Sequence, residues 1–336
     1  MTKRKKRILI IVPSVIAALL AITVLAFVLF PNPSAFLMRE MFKKPNISKP
    51  DGYTAMKAKV TVEKNLKYTS KYKDNYLDLY LPKNEDGEKI PLIIWVHGGA
   101  YVGGDKSDIV YFATALASEG YAVASINYRR APEAKYPVPV IQLRETTEWL
   151  KSAADTYHLD MTKLVYAGDS AGAHTVSTFA LVQTNPDYAA LSGLTATAAA
   201  PTSAIKCLLL YCGPYDVAAT ANADGFFGFM IKRAGWAYFG AQDWAKKFSD
   251  IATTKNHITA SYPPSFISDG NTASFPKQGK DLALALQSKS VPVTVYFPEP
   301  AFEKAAHEYQ FLMDTPAGKE CYALTKAFLL DCVSAD

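Results

Sequence analysis

The chain has 336 residues, with 36 Lys and Arg against 31 Asp and Glu, and a formal charge of +5. Five of those basic residues fall between Lys3 and Arg7, so the rest is close to neutral, which argues against nucleic acid as a partner. The four cysteines, Cys207, Cys212, Cys321 and Cys332, make no metal-ligand spacing.

The basic cluster is followed by Ile8 to Phe30, 23 residues with no charge and one proline. At about 1.5 Å per residue this run exceeds the ~30 Å hydrocarbon core of a bilayer. A secretory signal has a shorter apolar region, about 7–15 residues, and a small-residue cleavage site; no good site follows here. Residues 8–30 are therefore expected to form an uncleaved transmembrane anchor. Residues 1–7 form its cytoplasmic tail, because basic flanks stay inside. The expected product is a single-pass plasma-membrane protein with its folded domain outside the cytoplasm. Residues 31–51 hold four prolines and read as a juxtamembrane stalk. Within it Phe36, Leu37, Met38, Met41 and Phe42 could rest on the membrane beside Arg39, Lys43 and Lys44. Asn46-Ile47-Ser48 matches a glycosylation acceptor, relevant only in a eukaryotic secretory pathway. Residues 52–336 then suffice for one domain with a substantial core.

Val60 to Ser70 and Tyr76 to Leu81 alternate like an antiparallel pair at a sheet edge. Beyond them apolar runs alternate with helical patterns. Strands are expected at Ile90–Val96, Tyr121–Ile126, Lys163–Ala167, Cys207–Tyr211, Pro264–Ser268 and Pro292–Phe297. Helices are expected at Ile141–Ala154, Ala171–Gln183, Gln278–Gln287 and Lys319–Leu330. Alternating β and α units imply an α/β fold: a mostly parallel sheet with helices on both faces and a ligand site beyond the strand carboxyl ends.

Three segments at those strand ends carry chemistry. His97-Gly98-Gly99-Ala100 follows the first buried strand, and paired glycines leave backbone N–H groups open to a developing oxyanion. Gly168-Asp169-Ser170-Ala171-Gly172 lies between a strand and a helix, the context of a nucleophile elbow, with the Ala171 N–H as a further oxyanion donor. Serine needs a base, and His307 lies after the last strand and before the final helix, in the chain order serine, acid, histidine. His97 and His174 read as structural, and His158 and His257 as loop residues. Asp169, beside the nucleophile, reads as a carboxylate holding loops together near Arg129 or Arg130. Residues 215–262 are rich in aromatics, with Phe226-Phe227-Gly228-Phe229 and Trp236-Ala237-Tyr238-Phe239, and are expected to form a lid over an apolar pocket.

With Asn127-Tyr128-Arg129-Arg130-Ala131-Pro132-Glu133 between the glycine turn and the elbow, the chain resembles the hormone-sensitive-lipase-like branch of the α/β-hydrolases. That family carries HGGG, YRLAPE and GDSAG motifs in this order. The resemblance implies an eight-stranded sheet, a helical lid and hydrolysis of a small-molecule, lipid or carbohydrate ester without a cofactor. Ala100 replaces the third glycine but keeps its N–H. Where relatives place the triad acid, this chain has Ala273. The nearest carboxylate on that segment is Asp269, whose other reading is a turn-forming residue before Gly270; Glu299 is a weaker alternative. The expected site is thus Ser170, His307 and Asp269, with Gly98, Gly99 and Ala171 as the oxyanion hole. Carbohydrate deacetylation and peptide hydrolysis share these parts. A non-catalytic surface binding protein of the same fold is the rival, supported only by the displaced acid.

Overall fold

A computed structural model describes residues 3–83 and 87–334, with side chains from residue 11 onward. Residues 1 and 2 of the expected basic tail lie outside the described residues.

One eight-stranded sheet organises the domain, in the order β1-β2-β4-β3-β5-β6-β7-β8. The strands are β1 (Val60–Lys67), β2 (Tyr76–Pro82), β3 (Ile90–Val96), β4 (Ala122–Ile126), β5 (Leu159–Asp169), β6 (Ile205–Tyr211), β7 (Ser265–Ser268) and β8 (Val293–Tyr296). Only β2 runs against its neighbours; every pair from β4 to β8 is parallel. The alternation of side chains sorts the core into two layers. Leu92, Ile94 and Val96 of β3 pack with one cluster, whereas Ile93 and Trp95 pack with the other. Full burial of each such large apolar side chain stabilises by roughly 1.5–3 kcal/mol.

The helices that carry the argument are α1 (Lys3–Leu29), α2 (Asn32–Met41), α3 (Val110–Ser118), α4 (Val138–Ser152), α5 (Ala171–Thr184), α6 (Gly225–Phe239), α7 (Pro276–Ser288) and α8 (Pro316–Ser334). Helices α4, α5 and α7 cover one face of the sheet, and α3 and α8 cover the other. Between β6 and β7 the chain forms short helices and α6. Met230, Ala234, Ala237 and Tyr238 of α6 build a third cluster with Tyr101 and Ala171 above the strand ends. This is the expected lid.

Residues 31–51 are not a free stalk. Helix α2 buries Ala35 and Met38 against the lid cluster. Arg39 donates to the carbonyl oxygens of Val102 and Ala131 and makes two bonds with the Glu133 carboxylate, at 2.6 and 2.8 Å. Glu133 thus pairs outside its own segment, with α2. Met38 is buried and cannot rest on a membrane, whereas Phe36, Leu37 and Met41 are exposed. The described side chains of α1 are exposed except Ala26 and Phe27, which are half-buried, and Ile11–Leu29 is long and apolar enough to cross a bilayer.

The four cysteines are unbridged; Cys207, Cys212 and Cys321 are buried and Cys332 is partly so. Cys212 lies just past the end of β6, not within it.

Candidate active site

Ser170 sits between the end of β5 and the start of α5, with φ 51° and ψ −117°. A left-handed residue that is not glycine costs about 1–3 kcal/mol and persists only when its surroundings hold it. Here the Ser170 N–H donates to the Tyr211 carbonyl oxygen at 2.8 Å, tying the elbow to β6. Gly172 explains the second glycine of the motif. A Cβ there would lie 1.9 Å from the Val96 carbonyl oxygen, so no side chain fits where the elbow crosses β3.

His307 reaches the elbow from the loop after β8. That loop is held by the turn after β7: the N–H groups of Asn271 and Thr272 donate to the Ala305 carbonyl, and the Asn271 side-chain amide donates to Pro298 and Glu303. His307 Nε2 is 2.9 Å from Ser170 Oγ. Its other nitrogen, Nδ1, meets Ser274 Oγ at 2.6 Å, and the Ser274 hydroxyl donates to the Asp269 carboxylate. Asp269 thus meets the histidine only through a serine.

The polarity of this chain follows from its end. An ionised carboxylate can only accept hydrogen bonds. While Asp269 is ionised, Ser274 gives its proton to it and accepts from His307 Nδ1–H. That leaves Nε2 with a free lone pair facing the Ser170 hydroxyl, the tautomer a general base needs. Burial under Phe275 and Phe227 holds the His307 pKa down to about 4, so the ring is neutral near pH 7. Asp269 is also buried; desolvation pushes its pKa up to about 7, against the bond from Ser274. Its second carboxylate oxygen has no partner among the described residues.

The remaining expected residues divide. The Gly98 N–H donates to Asp169 Oδ2 at 2.8 Å, so it is spoken for and leaves the oxyanion set. The N–H groups of Gly99, Ala100 and Ala171 have no acceptor among the described residues. Gly99 and Ala100 line the same cleft as Ser170 and His307. Asp169 holds loops as expected, but not through arginine: it accepts from Trp95 Nε1 at 2.7 Å as well as from Gly98. Arg129 instead pairs with Asp74, and Arg130 donates to the Gly104 carbonyl. Glu299 is exposed at the start of the histidine loop. His97 stacks on Tyr128 with centroids 4.5 Å apart, and His174 bonds the Ala252 carbonyl, so both are structural.

Glu308 is a participant that the sequence did not announce. Gly98 is where it meets Asp169: a Cβ there would lie 2.5 Å from Asp169 Oδ2 and 2.6 Å from Glu308 Oε1. The two carboxyls are hydrogen-bonded to each other, and such a pair does not ionise twice. Burial beside the Asp169 charge drives the Glu308 pKa far up, so Glu308 keeps the shared proton.

Cys212 Sγ, an Asp269 oxygen and a His307 nitrogen converge within 4.8 Å, a metal-like grouping. Metal binding needs a thiolate, whereas burial pushes the Cys212 thiol pKa up, and its sulfur accepts from the Glu308 N–H. The donor set suits a hydrogen-bonded corner better than an ion.

Two hollows meet at Ser170. One is apolar and small, about 30 Å³, and is walled by Tyr101, Val217, Phe239, Trp244 and Phe275. The other, about 230 Å³, runs between Phe42–Ile47, the Gly98–Ala100 turn, Phe227 and Glu308.

Known proteins share this architecture. The BD-FAE family model matches residues 77–286. The chain is 33% identical over 155 residues to "Probable carboxylesterase 1" of Arabidopsis thaliana, covering 41% of this chain and 45% of that protein. It is 30% identical over 115 residues to "Esterase LipC" of Mycobacterium tuberculosis, covering 34% and 28%. Each match thus spans less than half of the relative's length. The crystal structure of esterase B from Lactobacillus Rhamnosis superposes with a TM-score of 0.72, over 94% of this chain and 96% of that one, at 20% identity. That likeness concerns the fold and agrees with the α/β-hydrolase architecture described above. The matched segment runs from β2 through α7, covers more than half of the chain and includes the elbow, and by it this chain belongs to the BD-FAE family of α/β-hydrolases.

Proposed function

We propose that this protein is a serine hydrolase of carboxylic esters that works through an acyl-enzyme. Ser170 Oγ attacks the ester carbonyl while His307 Nε2 takes its proton. The tetrahedral oxyanion is held by the N–H groups of Gly99, Ala100 and Ala171, each such donor being worth about 2.7–4 kcal/mol. His307 then protonates the departing alcohol. Water, deprotonated by the same nitrogen, releases the acid and restores Ser170. Asp269 acts through Ser274 to keep His307 in the productive tautomer. The observation that carries this reading is the 2.9 Å contact between His307 Nε2 and Ser170 Oγ at the end of a chain with one consistent donor direction. The test is turnover of nitrophenyl acetate by wild type and Ser170→Ala; activity surviving in the variant would remove the serine mechanism.

The small apolar hollow supports a short acyl group, since a cavity needs about 10–15 Å³ to hold even one water. The alcohol portion occupies the larger cleft. We read α1 as a membrane anchor with residues 1–7 in the cytoplasm and residues 52–336 outside it. The length and exposure of Ile11–Leu29 support this. Carbonate extraction of membranes, with protease protection of the domain in sealed vesicles, tests it; release into the supernatant would contradict the anchor.

A further inference from the structure

The lid helix α6 reads GFFGFMIKRAGWAYF, apolar nearly all round. A soluble helix of that kind is buried on every side. This one is not. One face carries Met230, Ala234, Ala237 and Tyr238 into the lid cluster, and Phe227 reaches His307. An adjoining flank leaves Phe226 and Phe229 exposed, at 69% and 52%.

That outer face is joined to α1. Arg233, on the same side of α6, donates to the carbonyl oxygens of Phe27, Val28 and Phe30. These are acceptors left unpaired where α1 ends, and the guanidinium also complements the negative end of the helix dipole. Arg233 further bonds Ser34 Oγ of α2 at 3.2 Å. Phe229 and Arg233 face Thr23, Val24, Phe27 and Val28 across a groove of about 480 Å³. Thr23 lies six residues before Leu29, roughly 9 Å along the helix axis. A span that places α1 in a bilayer therefore brings the outer face of α6 to the depth of its last turns. Phe36 of α2, half exposed, lines a neighbouring hollow with Phe30 and Trp236.

We infer that the outer face of α6, with α2, docks on the surface of the bilayer that holds α1, and that the catalytic cleft takes amphiphilic esters from that bilayer. This rests on the reading of α1 as an anchor. The occupant is lipid because the exposed phenylalanines continue the apolar surface of α1, and partly buried aromatic rings favour the interface. Phe42 and Ile47, which follow α2, and Phe227 and Ile231 of α6 line the larger cleft, so both docking elements adjoin it.

The experiment uses the full chain in phosphatidylcholine vesicles. Phe229→Trp adds an indole that brominated lipid should quench beyond the wild-type signal. An added emission quenched by acrylamide and untouched by brominated lipid would overturn the docking. This readout needs no catalysis, so it stands whether or not the ester-hydrolysis reading holds. In parallel, Phe226→Ser/Phe229→Ser is expected to keep turnover of a water-soluble acetate ester. On a long-chain acetate dissolved in the vesicles it should lose about tenfold or more, as two partly buried phenylalanines leave the interface. Equal rates for variant and wild type on the vesicle ester would contradict the proposal.

Discussion

Ser274 Oγ lies 2.6 Å from His307 Nδ1, in the place where a triad acid would make its direct contact. The hydroxyl passes the influence of Asp269 to the imidazole without itself carrying charge. Ser274→Ala should leave KM nearly unchanged and lower kcat by about 10²–10⁴, approaching the ~3 × 10⁴ that loss of a triad acid costs in a well-studied protease. Ser274→Thr keeps the hydroxyl and should recover most of the rate. Steady-state kinetics on the three proteins decide it: equal kcat in Ser274→Ala would make the serine a bystander.

Asp269 links activity and stability to pH in opposite senses. Burial raises its folded pKa to about 7, above the unfolded ~3.9. Its stabilising contribution is therefore complete below pH ~3.9 and is lost as pH rises through about 7. Asp269→Asn, which cannot ionise, should melt higher than wild type at about pH 8 and equally at about pH 4. Catalysis runs the other way. A protonated Asp269 can donate to Ser274 and reverse the donor chain, placing the His307 proton on Nε2. Wild-type kcat should thus fall as pH drops through about 7, well above the lowered His307 pKa of about 4. Melting curves and a pH–rate profile check both halves.

Glu308 holds the proton it shares with Asp169, so a neutral isostere should serve. Glu308→Gln should keep activity within about threefold, because an amide N–H donates as the acid O–H did. Asp169→Asn should be far worse. Trp95 Nε1 and the Gly98 N–H both need an acceptor there, and a buried donor left unsatisfied costs about 1–3 kcal/mol. Comparable melting temperatures for the two variants would refute the assignment of the proton.

Trp244 closes the small hollow. Its ring stacks on Phe239 at 5.3 Å and lies against Gly235, where a Cβ would clash with the indole at 2.3 Å. Trp244→Ala should extend the accepted acyl chain beyond acetyl and propionyl and raise hexanoate relative to acetate turnover by about tenfold, an enlargement offset by about 3–5 kcal/mol of lost packing. Rates across a nitrophenyl ester series measure it.

Much of this was legible in the residues. The antiparallel pair β1 and β2 could be read from its alternation and the other six strands from their apolar runs, with Ile90–Val96 matching its observed span. Motif and chain order pointed to Ser170 and His307, which the fold brings within hydrogen-bond distance. The acid relay was not legible. A search for carboxylates finds Asp269 but has no reason to weigh Ser274, since a hydroxyl in a loop carries no sequence signal of its own. Gly98 was misassigned because two adjacent glycines look equivalent until Asp169 claims one N–H. The docking of α2 was hidden for a related reason. Arg39 beside Phe36 and Met38 looks like a membrane-surface pattern, and only the folded domain supplies Glu133 and the two carbonyls that bind it.

The central claim is that Ser170 is a nucleophile activated by His307. The direct measurement is labelling of the full chain with a fluorophosphonate, followed by mass spectrometry of the modified peptide. One phosphonyl group should appear on Ser170, none in Ser170→Ala, and its rate of attachment should fall by about 10³ or more in His307→Ala. Labelling that persists in Ser170→Ala, or that proceeds at the wild-type rate without His307, would contradict it.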